Sequence, residues 1–187
     1  MKSNFLYCIV AARHLLSNVH RSFAMLFIPR SDVLQAVSQD GIALRYANRA
    51  MRADREVVLA AVRQNGCALE YASKKLRADR DVVLAAVRQD GWSLGYASPQ
   101  LRADREVVLE AVKQDGFALD HVGSKLRADP DIVFAAVQQN GWSLICADEE
   151  LRANQDIANV ILSSTPNAAC LLTGRDEQQK DDLLGIM

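Results

Sequence analysis

Cysteine and histidine have the widest chemical repertoire of any side chains in this chain, and their spacing argues against its use. Cys8, Cys67, Cys146 and Cys170 lie far apart with no Cys-x-x-Cys pair, whereas a zinc site or a disulfide framework needs clustered thiols. We read them as small buried apolar residues. His14 and His20 fall near the start and His121 stands alone. With no Gly-rich phosphate loop and no nucleophile beside a base, the pattern offers no catalytic residue, metal or cofactor. An enzymatic alternative survives only at His121 and Cys146, which are 25 residues apart and become neighbours if the chain stacks with that period.

Arginine is next. Arg52, Arg77, Arg102, Arg127 and Arg152 recur at a spacing of 25, and a row of guanidinium groups can bind phosphates or acidic peptides. Each stands two residues before Asp54, Asp79, Asp104, Asp129 or Asn154. A like-charge row without counter-ions repels itself, so we expect a neutralised structural ladder, paired within one copy or across to the next. Gln39, Gln64, Gln89, Gln114 and Gln139 form a parallel column, expected to satisfy free carbonyls at helix ends. Over the whole chain 22 Lys and Arg face 23 Asp and Glu. Without a basic excess, nucleic acid is not an expected partner.

These columns exist because the sequence repeats. Residues 54 to 78, 79 to 103 and 104 to 128 are near-identical, with further copies from Pro29 and over 129 to 153. Gly41, Gly66, Gly91, Gly116 and Gly141 stay in register, as do the Val column from Val37 to Val137 and the Leu column from Leu44 to Leu144. Strict periodicity without insertion means a stacked array. At 187 residues, 50% apolar and 24% charged, the composition is globular. A chain of this size buries about 70% of the surface it exposes when unfolded, so no disulfide or metal is needed to hold its core.

Each copy reads as two short helices. Asp54, Asp79, Asp104 and Asp129 are N-caps, Pro130 suits a first helical position, and Glu56, Asp81, Glu106 and Asp131 suit the positive end of the helix dipole. The apolar positions 107, 108, 109, 111 and 112 span roughly 200° at helical pitch, so the first helix must be covered on two sides. After the glycine, Leu94, Ala97 and Leu101 predict a second helix, and Ser98-Pro99 interrupts it so that Pro99 to Arg102 forms a separate turn. The fold class is all-α: a right-handed-type αα solenoid of five 25-residue two-helix repeats with capping helices at both ends.

The chain divides into three segments. Over 1–28, Phe5, Ile9, Ala12, Leu16, Val19, Phe23 and Leu26 place an apolar stripe on one face of an amphipathic capping helix. The run FLYCIVAA resembles a signal-peptide core, but the stripe continues through Arg13 and His14, and no cleaved signal is expected. The five repeats fill 29–153. Over 154–187 lie a degenerate sixth copy, in which Pro166 replaces the column glycine, a cap and an acidic tail.

With their core D-R-E-V-V-L-x-A-V-x-Q-x-G-x-x-L-x-Y-A-S-x-x-L-R-A, the copies resemble the short helical repeats of a family known as domain of unknown function 4116. His121 and Cys146 depart from its Tyr column and Val122 from its small Ala position. The resemblance implies an interaction role without established activity, in proteins like the effectors that intracellular bacteria inject into host cells. The tail DEQQKDD followed by Leu183 and Leu184 is similar to type IV secretion signals. The resemblance thus implies a chain that is cytoplasmic or secreted into a host cell.

Binding specificity in a solenoid resides in the columns that vary while the framework repeats. Here these are Arg45, Glu70, Gly95, Asp120 and Ile145, and the loop triplets running from basic Lys74 and Lys75 to acidic Asp148, Glu149 and Glu150. A partner of opposite polarity would be oriented by that gradient. The column Ile42, Cys67, Trp92, Phe117, Trp142 has two readings: aromatic anchors for a partner, or a staple in which Gly91 is left-handed and Trp92 packs back on Val87. Geometry favours the staple. The expected partner is another protein, with no membrane insertion, and the expected state is a monomer. The alternatives are a structural or regulatory module that homo-oligomerises through the Phe5 to Leu26 stripe, and the enzyme.

Overall fold

A computed structural model describes residues 29–164. Each long helix begins where an acidic cap dictates. The carboxylate of Asp54 accepts the backbone N–H groups of Glu56 and Val57, Asp79 those of Asp81 and Val82, Asp104 those of Glu106 and Val107, and Asp129 those of Asp131 and Ile132. The helices are α1 (Arg30–Gln39), α2 (Arg55–Gln64), α3 (Arg80–Gln89), α4 (Arg105–Gln114) and α6 (Pro130–Gln139), each of 10 residues. Pro29 holds the cap position of α1 without a side-chain bond, and Pro130 enters α6 at its first turn, where a missing N–H costs nothing.

The residue ending each long helix also starts the next element. Asp90, extended at φ −153° and ψ 110°, closes α3 and accepts the N–H of Trp92. That next element is a 3₁₀-helix, in Gly41–Tyr46, Gly66–Tyr71, Gly91–Tyr96, Gly116–His121 and Gly141–Cys146 alike. At three residues per turn, positions i, i+3 and i+6 share a face. Gly91, Leu94 and Ala97 are accordingly all buried, while the face holding Trp92 turns out. The second helix is therefore tighter than the α-helix implied by mixed spacings of three and four.

Beyond it the chain makes a third, single-turn helix, the separate turn expected after Ser98-Pro99. It is 3₁₀ at Met51–Ala53, Leu76–Ala78 and Leu101–Ala103, and α-helical at α5 (Ser124–Arg127) and α7 (Glu149–Arg152). Each turn is tied to the next by one backbone bond: the N–H of Ser73, Ser98, Gly123 and Asp148 donates to the carbonyl of Arg52, Arg77, Arg102 and Arg127, at 2.8, 2.8, 3.1 and 3.2 Å.

Packing is nearest-neighbour. The helix α1 lies against α2, α2 against α3, α3 against α4, α4 against α6, and α6 against α8 (Gln155–Ser164). Each of α2, α3, α4 and α6 also touches two of the six-residue 3₁₀-helices, its own and the preceding copy's. That double cover explains the wide apolar arc: Val57, Val58, Ala61 and Val62 are fully buried, and so are their counterparts in α3, α4 and α6. All of this forms one continuous core, an all-α solenoid of five repeats. Ile157, Ala158 and Ile161 of α8 close its C-terminal side. The predicted capping helix over 1–28, Pro166 and the acidic tail lie outside the described residues.

The glycine column corrects one expectation. None of Gly41, Gly66, Gly91 and Gly116 adopts a positive φ, so none of them is a left-handed cap. A Cβ on Gly41, Gly66, Gly91 or Gly116 would stand 2.4, 2.6, 2.4 or 2.5 Å from the carbonyl oxygen of Ala61, Ala86, Ala111 or Ala136 in the next copy. Glycine is required because the following repeat comes that close, and the staple of Trp92 on Val87 loses its premise.

Candidate functional site

The N-terminal ends of the long helices stand in a row, which brings the first helical arginine of one copy to the cap of the next. Arg30 Nε lies 2.7 Å from Asp54 Oδ2, Arg55 Nε 3.2 Å from Asp79, Arg80 Nε 3.5 Å from Asp104 and Arg105 Nε 3.2 Å from Asp129. Their terminal nitrogens reach Glu56, Asp81, Glu106 and Asp131. Hydrogen bonding by Arg30 holds the Asp54 carboxyl below its ordinary value. Between α6 and α8 both partners are replaced at once, by Pro130 and Asn154, and the ladder stops.

This corrects the expected ladder. The caps pair with Arg30, Arg55, Arg80 and Arg105, not with Arg52, Arg77, Arg102 and Arg127. In Arg52, Arg77 and Arg102 the Nε atom is buried without a hydrogen-bond partner among the described residues. The first helical residue points along the stack toward the neighbouring cap, whereas the arginine two residues before the cap lies in the single-turn segment on another edge. The signal was present as an Asp-Arg dipeptide repeated at 54, 79 and 104, which sets an arginine 24 residues before an aspartate.

Glutamines join the copies more tightly than a local cap would. Oε1 of Gln64, Gln89, Gln114 and Gln139 accepts the backbone N–H of Gly41, Gly66, Gly91 and Gly116 at 2.5, 2.5, 2.5 and 2.7 Å. Nε2 of Gln64, Gln114 and Gln139 donates to the carbonyl of the preceding Gln39, Gln89 and Gln114 at 3.4 Å. Each amide therefore satisfies one free donor, and in those three one free acceptor, of the copy before it.

With structure accounting for these columns, the outer side of the 3₁₀ layer holds the residues it leaves over. Of the seven Phe, Tyr and Trp among the described residues, all but Phe134 lie on 3₁₀-helices. Trp92 is 41% exposed, Trp142 40% and Ile145 60%, while Phe117 is half-buried. The edge of the Trp92 ring meets the His121 ring, with centroids 4.3 Å apart at 76°. The imidazole fills the space a side chain at Gly95 would take, since a Cβ there would be 3.0 Å from it. At the other end Arg45 lies over the rings of Tyr46 and Tyr71, 5.0 and 5.9 Å from their centroids. Glu70 and Asp120 are exposed on the same layer, and from Gly66 to Cys146 its four helices contain no Lys or Arg. Lys74, Lys75, Asp148, Glu149 and Glu150 are exposed in the loops beyond, where Asp148 caps the N–H of Glu149.

His121 and Cys146 sit on adjacent 3₁₀-helices that pack together. Burial pushes the Cys146 thiol up, and burial with a 3.0 Å bond to Asp90 pushes Cys67 up to about 11. A reactive cysteine needs the opposite shift. Among the described residues no three His, Cys, Asp or Glu are grouped to hold a metal ion, and no helix is long and apolar enough to cross a membrane.

The comparisons reproduce the period. The model of a family described as Domain of unknown function (DUF4116) matches residues 30–77, 54–102, 79–127, 104–152 and 129–169. Neither a curated protein nor a solved structure matches the chain.

Proposed function

This chain belongs to the DUF4116 family, and from that premise we propose that it is a protein-interaction module whose partner docks on the outer side of the 3₁₀ layer, about Trp92, Phe117, Trp142 and Ile145. The observation that carries the reading is the placement of aromatic side chains. Six of the seven described lie on one layer, and both tryptophans are about 40% exposed. Solvent-facing Trp residues held by a rigid framework are the commonest anchors of protein interfaces. Burying the exposed part of two Trp and Ile145 against a partner supplies apolar area at little cost in ordering, because the backbone beneath is fixed by the Gln and Gly contacts.

In this reading the chain acts as a monomeric adaptor or effector of an intracellular bacterium, in its cytoplasm or delivered into a host cell. Support comes from the likeness of its repeats to those of injected proteins. No chemistry is assigned to His121 or Cys146, and burial raises the Cys146 thiol away from the reactive form.

Capture from a host-cell lysate tests this, with the chain as bait beside two variants: Trp92→Ser with Trp142→Ser, and Arg63→Glu on the α-helical side. Partners should be lost with the first variant and kept with the second, all three baits melting within a few degrees of one another. Titrating a captured partner should also shift tryptophan emission, since the chain has 2 Trp and both lie in the row. Retention of the same partners by the tryptophan variant overturns the proposal.

A further inference from the structure

Resting on the reading of the chain as a protein-binding stack, we propose that a second edge, formed by the single-turn helices, receives an extended acidic segment of the partner. The residues involved are Arg52, Arg77, Arg102 and Arg127, flanked by Lys74 and Lys75. Segments 48–53, 73–78, 98–103 and 123–128 together contain eight Lys or Arg and no Asp or Glu. The backbone bonds between Ser73 and Arg52, Ser98 and Arg77, and Gly123 and Arg102 lay these segments side by side, one per repeat. Positive charge is therefore continuous along four repeats. It ends at Asp148, Glu149 and Glu150, which gives the strip a direction.

Nothing in the described fold neutralises it. The nearest carboxylates in sequence, Asp54, Asp79, Asp104 and Asp129, are already engaged by helix N–H groups and by Arg30, Arg55, Arg80 and Arg105. Arg52, Arg77 and Arg102 each have a buried Nε with no hydrogen bond, and their half-buried side chains make no ion pair among the described residues. Burial of the stem holds each guanidinium in place, while its terminal nitrogens remain free to bind. A guanidinium ordered in advance and left without a counter-ion is suited to capture a carboxylate in a forked pair.

Spacing names the form of the partner. Helices packed in such a stack lie roughly 8–10 Å apart, and the arginines repeat once per helix. A polyproline II segment has three residues per turn and advances about 3.1 Å per residue. Acidic side chains at every third position of such a segment then line up on one side at about 9.3 Å, in step with the guanidinium row. Spacing of two or four residues does not keep step.

Fluorescence anisotropy of labelled peptides against the full chain at low ionic strength tests this. One peptide repeats Glu-Pro-Pro, and a second has the same composition with its glutamates adjacent. The periodic peptide should bind about tenfold more tightly than the other and weaken as salt screens the charges. Arg77→Gln with Arg102→Gln should lose at least about tenfold of that affinity. Lys74→Ser with Lys75→Ser, both exposed and outside the core, should weaken it several-fold and decides the matter if the arginine variant fails to fold by circular dichroism. Trp92→Ser with Trp142→Ser should leave peptide binding unchanged, which separates this edge from the aromatic layer. Absence of binding, equal affinity for both peptides, or retention in the lysine variant overturns the inference. So does tighter binding of an oligothymidylate through the same residues, which would assign the strip to phosphates.

Discussion

Gly91 and the carbonyl oxygen of Ala111 face each other so closely that a Cβ on the glycine would stand 2.4 Å away, inside any van der Waals contact. The obstacle is backbone, so relief requires α4 to move as a body. Gly91→Ala should therefore cost about 1–3 kcal/mol, the usual range for overpacking. Gly123→Ala makes the control, because its Cβ would come no nearer to any atom than 3.7 Å, ordinary contact with Ala103 and the Arg102 carbonyl, and it should fall within about 0.5 kcal/mol of the parent. Urea denaturation of the two variants measures the difference.

Ser93 and Ser143 occupy a core column that is alanine at 43, 68 and 118, and both hydroxyls are buried without a partner among the described residues. An unpaired buried hydroxyl costs on the order of 1 kcal/mol or more, and alanine fills nearly the same shape. Ser93→Ala should raise the urea midpoint, and Ser143→Ala should do so again. A lower midpoint would mean that the hydroxyls have partners.

Stability should depend on acid through the caps. Asp54 is held below its ordinary value chiefly by its hydrogen bond with Arg30, so folding favours its ionised form. The contribution is complete above the unfolded carboxyl value near 4 and is lost as pH falls through the lower folded value. The denaturation midpoint should hold steady from about pH 7 to 5 and decline below about 4. Asp54→Asn keeps an acceptor for the N–H groups of Glu56 and Val57 and removes the titration, so its decline should be shallower.

Deleting residues 79–103 removes one whole period and puts Asp104 after Ala78, where Asp79 had been. Arg55 then meets Asp104, Gln114 meets Gly66, and a helical, cooperatively melting protein should remain. Deleting 79–90 alone puts Gly91 after Ala78 and removes both the cap and α3. That protein should lose helicity well beyond its share of residues by circular dichroism.

The period, the caps and the glycine column were legible because each recurs as an identical residue in register, with a local physical role that composition alone implies. What each column does across the stack was less so. A glycine demanded by close approach and one demanded by a left-handed turn lack the same Cβ, so Gly91 reads alike in either case. Two arginines flank each of the caps Asp54, Asp79 and Asp104, and position along the sequence favours neither; only the direction of the first helical residue selects Arg55 over Arg77 as the partner of Asp79. Trp92 depended on the glycine: with Asp90 extended and Gly91 opening a 3₁₀-helix without a positive φ, nothing folds the indole back on Val87, and it meets His121 instead. The 3₁₀ pitch of the second helix was hidden for a similar reason, since Leu94, Ala97 and Leu101 straddle two elements.

The guanidinium of one unit and the carboxylate of the next form a head-to-tail joint, identical at four successive junctions, and a joint of that kind has no intrinsic stopping point. Any excised interior unit would present a donor at one end and an acceptor at the other, and units of that sort grow into filaments rather than closed rings unless their rotation closes. The chain ends this series in its covalent sequence. Pro29 stands where a carboxylate would be, and at the last described junction Pro130 replaces the arginine and Asn154 the carboxylate, keeping its role as a helix cap without the charge. Those three neutral residues confine the charged series to the four interior junctions, while the apolar core runs on into α8.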